Sequence, residues 1–294
     1  MRLPRLVPRL ALAGAAVSAA CVGWGVIEAR RYRLATHRLP VLPPGAEPLR
    51  VLQVSDLHLR SSNTRLAAFL AGLADETFDL VLATGDLLGE PQAVERCARL
   101  LGGLRGRLGR YYVLGSSDYY APKFKNYLDY FTKRRRPPAR PNRIADFLRI
   151  LDAQGWEGLT NRTQHLVLKG TPAQITGLDD PFLHRDDRSL LRRSPGAAFA
   201  WCVTHDPAPY ADAAKAGFDL VVAGHTHGGQ VRFPLVGAVV TNSDVPRRLA
   251  LGASWVGDTL LFVTPGLGTG KFAPFRFLCP PEASVLELVP RGSG

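Results

Sequence analysis

Five short apolar runs in this chain stop abruptly at residues able to grip a metal ion, and that repeated design limits the possible folds most. Leu49–Val54 (LRVLQV) runs into Ser55-Asp56-Leu57-His58, and 80–83 (LVLA) into Thr84-Gly85-Asp86. Residues 111–114 (YYVL) lead to Gly115-Ser116-Ser117-Asp118, 199–204 (FAWCVT) to His205-Asp206, and Leu220–Ala223 (LVVA) to Gly224-His225-Thr226-His227. Apolar runs this short, bounded by glycine and polar residues, read as buried strands. Helical stretches at 65–74 and 92–104 fall between them. Strand and helix in alternation predict an α/β core. In open α/β sheets a ligand sits past the carboxyl ends of the strands, and all five polar clusters fall there.

The donor types define the chemistry. Asp56 and His58 stand one residue apart, as do His225 and His227, so strand periodicity turns each pair to one side. Asp86 has two carboxylate oxygens and can bridge two ions. Mixed His and Asp donors suit Mn, Zn or Fe, whereas Mg prefers an all-oxygen shell. A lone Asp after a strand is most often a turn or cap residue, and a lone His is most often a hydrogen-bonded structural residue. Four of the seven histidines lie at strand ends, which sets them apart from His37, His165 and His184, read as structural.

Composition narrows the field. The chain has 294 residues, 46% hydrophobic and 21% charged, which excludes a disordered, collagenous or coiled-coil chain and leaves room for a large core. A net charge of +12 points to an anionic neighbour: nucleic acid, a membrane face or phosphorylated substrates. The four cysteines are widely separated and form no disulfide or zinc pattern. Residues 10–27 carry no charge, and a helix of this length spans roughly 27 Å, close to a bilayer core. A membrane anchor is the favoured reading, with a cleaved signal peptide and a buried helix as alternatives. Arginines flank the run on both sides, with a slight excess after it. Single-pass insertion in the plasma membrane with a cytoplasmic catalytic domain is therefore expected. The expected organisation is an anchor over 1–38, a Pro-rich linker over 39–48 and a catalytic domain over 49–290.

Taken together, Asp56-x-His58, Gly85-Asp86, the later Gly-x-x-Asp, His205 and Gly224-His225-Thr226-His227 resemble the calcineurin-like metallophosphoesterase family. The extended GHTHGGQVRFP and the later GLGTG resemble its membrane-anchored bacterial branch, which includes YkuE-like phosphodiesterases and a UDP-diacylglucosamine pyrophosphatase. The resemblance implies a four-layer αββα sandwich with a dinuclear site at the sheet ends. Carried over to this chain, it puts Asp56, His58, Asp86 and His227 on one ion and Asp86, His205 and His225 on the other. It also makes His225 a stabiliser of developing charge.

The third block departs from the family pattern of Gly-Asn-His-Asp/Glu. Ser116 stands at the metal-binding Asn and Ser117 at the His that acts as proton donor. A serine hydroxyl is a poorer ligand than an amide carbonyl and is no acid near pH 7. Asp118 is expected to assist catalysis by orienting a neighbour such as His205. Residues 123–143 hold eight basic residues, one acid and several aromatics, with Lys123 and Lys125 nearest the site as candidate substrate contacts. The favoured partner of this stretch is an anionic membrane surface, with a solvated loop close behind and nucleic acid last, because an anchor suits a nuclease poorly. The expected function is metal-dependent hydrolysis of a phosphoester or pyrophosphate, with a lipid-linked substrate in view. The rival is a metal-binding membrane protein of weakened catalysis. The sequence leaves the oligomeric state open.

Overall fold

The computed structural model describes residues 6–121, 140–241, 243–270 and 273–292. Lys123 and Lys125 and most of the basic stretch lie outside the described residues. Six helices are described: α1 (Leu6–Glu28), α2 (Thr64–Gly72), α3 (Val94–Gly102), α4 (Ser116–Tyr119), α5 (Ile144–Ala153) and α6 (Tyr210–Lys215). The strands, in chain order, begin with β1 (Arg33–Leu42), β2 (Leu49–Val54), β3 (Thr77–Thr84), β4 (Arg105–Val113) and β5 (Glu157–Gly158). There follow β6 (Arg162–Leu168), β7 (Thr171–Gly177), β8 (Phe199–Val203) and β9 (Leu220–Ala223). The last are β10 (Arg232–Phe233), β11 (Gly237–Ala238), β12 (Gly252–Val256), β13 (Thr259–Val263) and β14 (Glu282–Pro290).

Two six-stranded mixed sheets result, in the orders β1-β14-β2-β3-β4-β5 and β12-β13-β9-β8-β7-β6. Their strands alternate between two apolar environments, as a pleat requires. On β3, Leu80 and Leu82 face the second sheet, where they join Trp201, Leu220 and Phe262 in one buried cluster. Val81 and Ala83 of the same strand face a cluster built with α2, α3 and α5, and Phe78 joins that cluster because the register with β4 shifts between Phe78 and Leu80. On β8, Ala200 and Cys202 turn outward to a third cluster that includes Ala213 of α6. Cys202 is thus a small buried hydrophobe. The order helices, sheet, sheet, thin helical layer is the expected αββα arrangement. The two central parallel pairs, β2 with β3 and β8 with β9, bring the polar clusters to one edge of the sandwich.

The N-terminal region differs from expectation. The stretch read as anchor flank and linker begins with β1, which pairs parallel with β14 from Arg33 to Leu42 and shifts register after Pro40. An edge position accommodates that proline, which has no N–H to donate. Only 43–48 remains a connector. Helix α1 covers the uncharged run, but among the described residues no helix is long and apolar enough to cross a membrane. The expected membrane-spanning helix is therefore unsupported. The last turn of α1 is instead pinned to the sandwich. The carbonyl of Gly25 accepts from Arg276 N at 2.9 Å. The buried Glu28 carboxylate accepts from Leu278 N and Cys279 N.

Candidate metal centre

The loops after β2, β3, β8 and β9 converge, and their backbones show what convergence costs. Asp56, His58, Asp86, His225 and His227 all adopt positive φ, between 39° and 66°. Non-glycine residues rarely do so, and such strain collects at functional sites. The adjoining glycines make room. A Cβ on Gly85, itself at φ 81°, would stand 2.7 Å from Gly115 N and from His205 Nδ1. A Cβ on Gly266 would stand 2.7 Å from Asp56 Cβ.

Asp86 sits at the middle. Its Oδ2 lies 3.5 Å from His58 Nε2, and its Oδ1 lies 3.5 Å from His205 Nε2. Each oxygen therefore faces a different histidine, an arrangement open to a carboxylate that bridges two ions. His58 Nε2 lies 3.2 Å from His227 Nε2, which in turn lies 3.6 Å from Asp56 Oδ1. Among the described residues two groups of His and Asp donor atoms, each mutually within 4.8 Å, form with Asp56 in both: Asp56, His58 and His227, and Asp56, Asp86 and His205. His225 stands just outside both. Its Nδ1 is 3.2 Å from His205 Nε2, and its Nε2 is 3.2 Å from Asp206 Oδ2.

The donors fit divalent ions. Asp56 is fully buried and its Oδ1 has no hydrogen-bond partner, a costly state that a cation relieves. Asp56 Oδ2 is already engaged by Ser55 Oγ and His225 N. His205 Nδ1 donates to the Thr84 carbonyl at 2.8 Å, which aims Nε2 at the cluster. Burial, with the charges of His58 and Arg276, pushes the His227 imidazole down to about 3, so it stays neutral and free to ligate. Burial opposes charge on His205, but the carboxylates of Asp86, Asp56 and Asp180 prevail and hold it well above the usual histidine range. Burial works against Asp86 too, and the nearby histidines hold its carboxyl well below the usual range.

The third block holds the loop that carries Asp86. Ser117 N and Ser117 Oγ donate to Asp86 at 2.8 and 3.1 Å. Ser116, a candidate ligand, is the first residue of α4. Asp118 does not hydrogen-bond His205; its carboxylate accepts from Leu87 N, Leu88 N and Gly115 N, tying the loop that carries Asp86 to α4. It positions Asp86. Burial, reinforced by the charge of Asp86, pushes the Asp118 carboxyl up to about 7.

Three further residues stand near the donors. Arg276 is fully buried, with Nη2 3.3 Å from His227 Nδ1. Asp206 flanks His225. Asp180 is buried, with one oxygen unpartnered and its carboxyl pushed up to about 6, first by burial. Asp206 directly follows His205, and Asp180 ends the loop after β7. The only sequence signal for either was its place after a strand.

The sequence of the calcineurin-like phosphoesterase family matches residues 49–229. The chain belongs to that family. It is thereby a metal-dependent hydrolase of phosphoric esters. It is 27% identical to the uncharacterized metallophosphoesterase YkuE of Bacillus subtilis over 260 residues, covering 86% of this chain and 83% of YkuE. It is 26% identical to phosphodiesterase YaeI of Escherichia coli over 301 residues, covering 96% and 98% of the two chains. Among solved structures, the phosphopantetheinyl hydrolase PptH of Mycobacterium tuberculosis aligns with a TM-score of 0.44 at 12% identity, covering 81% of this chain and 96% of PptH. In this metallophosphoesterase the five strand-end clusters all lie within the matched residues.

Proposed function

We propose that this phosphoesterase hydrolyses a phosphodiester with two divalent ions, Mn, Zn or Fe, that share Asp86. The observation that carries the reading is the placement of the two Asp86 oxygens, each 3.5 Å from a different histidine. The relative YaeI, named a phosphodiesterase, favours the diester over other phosphoric esters. Asp56, His58, Asp86 and His227 would hold one ion, and Asp86, His205 and His225 the other. When bound, such ions would supply Lewis acidity toward a phosphoryl oxygen and a nucleophilic water. His225 stands beside the second group, held between His205 and Asp206, where it steadies charge on the phosphoryl oxygens. Ser117 holds Asp86 in place through two hydrogen bonds. A lipid-linked substrate and tethering through the uncharged run of α1 remain part of the proposal, supported by the charge of +12 and that run.

A second reading is favoured by one feature. With Ser117 in place of a proton donor, this chain has the metal cradle without the acid, which suits a binding protein of weak catalysis. One assay separates the two: purified protein with Mn or Zn against bis-p-nitrophenyl phosphate, beside Asp86→Asn. The hydrolytic reading predicts turnover that the substitution abolishes. Equal rates for the two proteins would leave only the binding role.

A further inference from the structure

Just past His227 the chain builds a surface that the hydrolytic reading does not use. The short hairpin of β10 and β11 begins at Arg232, and its turn, Pro234-Leu235-Val236, stands out from the sandwich. Leu235 is 108% exposed, Val236 67% and Val240 61%. Leu235 also holds positive φ, 66°, where a branched side chain is strained. A fully exposed leucine in a strained turn contributes nothing to the core, and neighbouring apolar residues make it part of a patch.

The patch continues onto α1. Val231 bridges to Phe277, and the Phe233 and Phe277 rings lie 6.0 Å apart. The next residue, Leu278, is tied through its N–H to Glu28 of α1. On that helix Trp24 is 42% and Ile27 56% exposed. Basic groups border the apolar surface. Arg30 and Arg31 follow α1 and are exposed, and Arg31 sits over the Trp24 ring at 5.5 Å. Arg247 and Arg248 are exposed on a turn packed against β11. Among the described residues of these segments the acids are Glu28, which is buried and bonded, and Asp244. An apolar centre with a tryptophan and a basic border complements an anionic lipid interface, where side chains need reach only about 5–10 Å inward.

We propose that the hairpin turn and the last turns of α1 together seat this protein on an anionic bilayer, with the metal centre beside the headgroups. The hairpin begins five residues after His227, so a docked turn places the site at the lipid surface. No crossing helix is required. This surface is independent of how, or whether, the centre turns over substrate.

The test uses the full chain with Cys21→Ser and Val236→Cys, labelled with an environment-sensitive dye. Cys97, Cys202 and Cys279 are buried and leave the new thiol as the reactive one. With vesicles of phosphatidylglycerol and phosphatidylcholine, emission should rise at least about twofold, and spin-labelled lipid should quench it. Pure phosphatidylcholine should bind more weakly, and Leu235→Asp in the labelled chain should weaken binding to anionic vesicles by about tenfold or more. Unchanged emission while the protein sediments with vesicles would mean that α1 alone binds lipid, and would overturn the proposal. So would emission that rises with protein concentration without lipid, since the patch would then join two copies. Neither readout involves hydrolysis, so a failure of the diesterase reading leaves this test intact.

Discussion

Replacing Arg276 by methionine removes a buried guanidinium while keeping an aliphatic stem of similar reach. The guanidinium is fully enclosed and donates to the carbonyls of Pro265, Gly266, Gly268 and Cys279 at 2.6–3.3 Å. Gly266 keeps a second donor, Glu282 N. The other three carbonyls lose the guanidinium donor inside the protein. Each unpaired buried polar group costs about 1–3 kcal/mol, and release of the buried charge offsets part of this. The net loss is about 3–5 kcal/mol. For a domain approaching this size, that lowers Tm by roughly 6–15 °C. Arg276 N also holds α1 through Gly25 O, but that backbone bond survives the substitution. The assay is thermal unfolding by circular dichroism in excess chelator, so that metal binding does not contribute. Arg276→Lys, which can satisfy one or two carbonyls, should fall between wild type and Arg276→Met. A Tm shift below about 2 °C for Arg276→Met would refute the view that this side chain fastens the segment behind His227.

Two further outcomes follow from the same geometry. His205 has a raised pKa in the metal-free protein, so its ion pair with Asp86 stabilises the fold fully below about 6.5 and loses that contribution as pH rises through the raised value. A metal must displace this proton; calorimetry at pH 7 in buffers of different ionisation enthalpy should therefore detect proton release, and affinity should climb with pH. Identical heats in all buffers and pH-independent affinity would contradict it. Ser117→His should raise the rate on diesters with poor leaving groups, by up to about a hundredfold, and change fast-leaving nitrophenyl esters little. An equal effect on both substrates would exclude the missing acid as the cause.

The sequence made the site's skeleton visible because its signal is local. Each donor follows a short apolar run, and Leu49–Val54 and Leu220–Ala223 form strands with those bounds. The parts that escaped depend on distant pairing. Residues 33–42, with Pro40, look like the end of an anchor flank and the start of a linker until β14, almost 250 positions later, supplies a partner strand. Arg276 has no periodic context, and its role appears only when four carbonyls from 265–279 close around it. Asp118 sat beside the right motif, yet its partners are backbone N–H groups that no side-chain pattern encodes. The uncharged run at 10–27 suggested a crossing helix. Its length and apolarity could not reveal that its last turn docks on the sandwich through Gly25 and Glu28.

The most direct test of the shared carboxylate is metal content measured by mass spectrometry after dialysis against trace Mn and Zn. Wild-type protein should hold two ions per chain, and Asp86→Asn should lose affinity for both together, while His58→Ala and His205→Ala each weaken one. If Asp86→Asn kept one ion at wild-type affinity, Asp86 would not lie between two metals and the account would be contradicted.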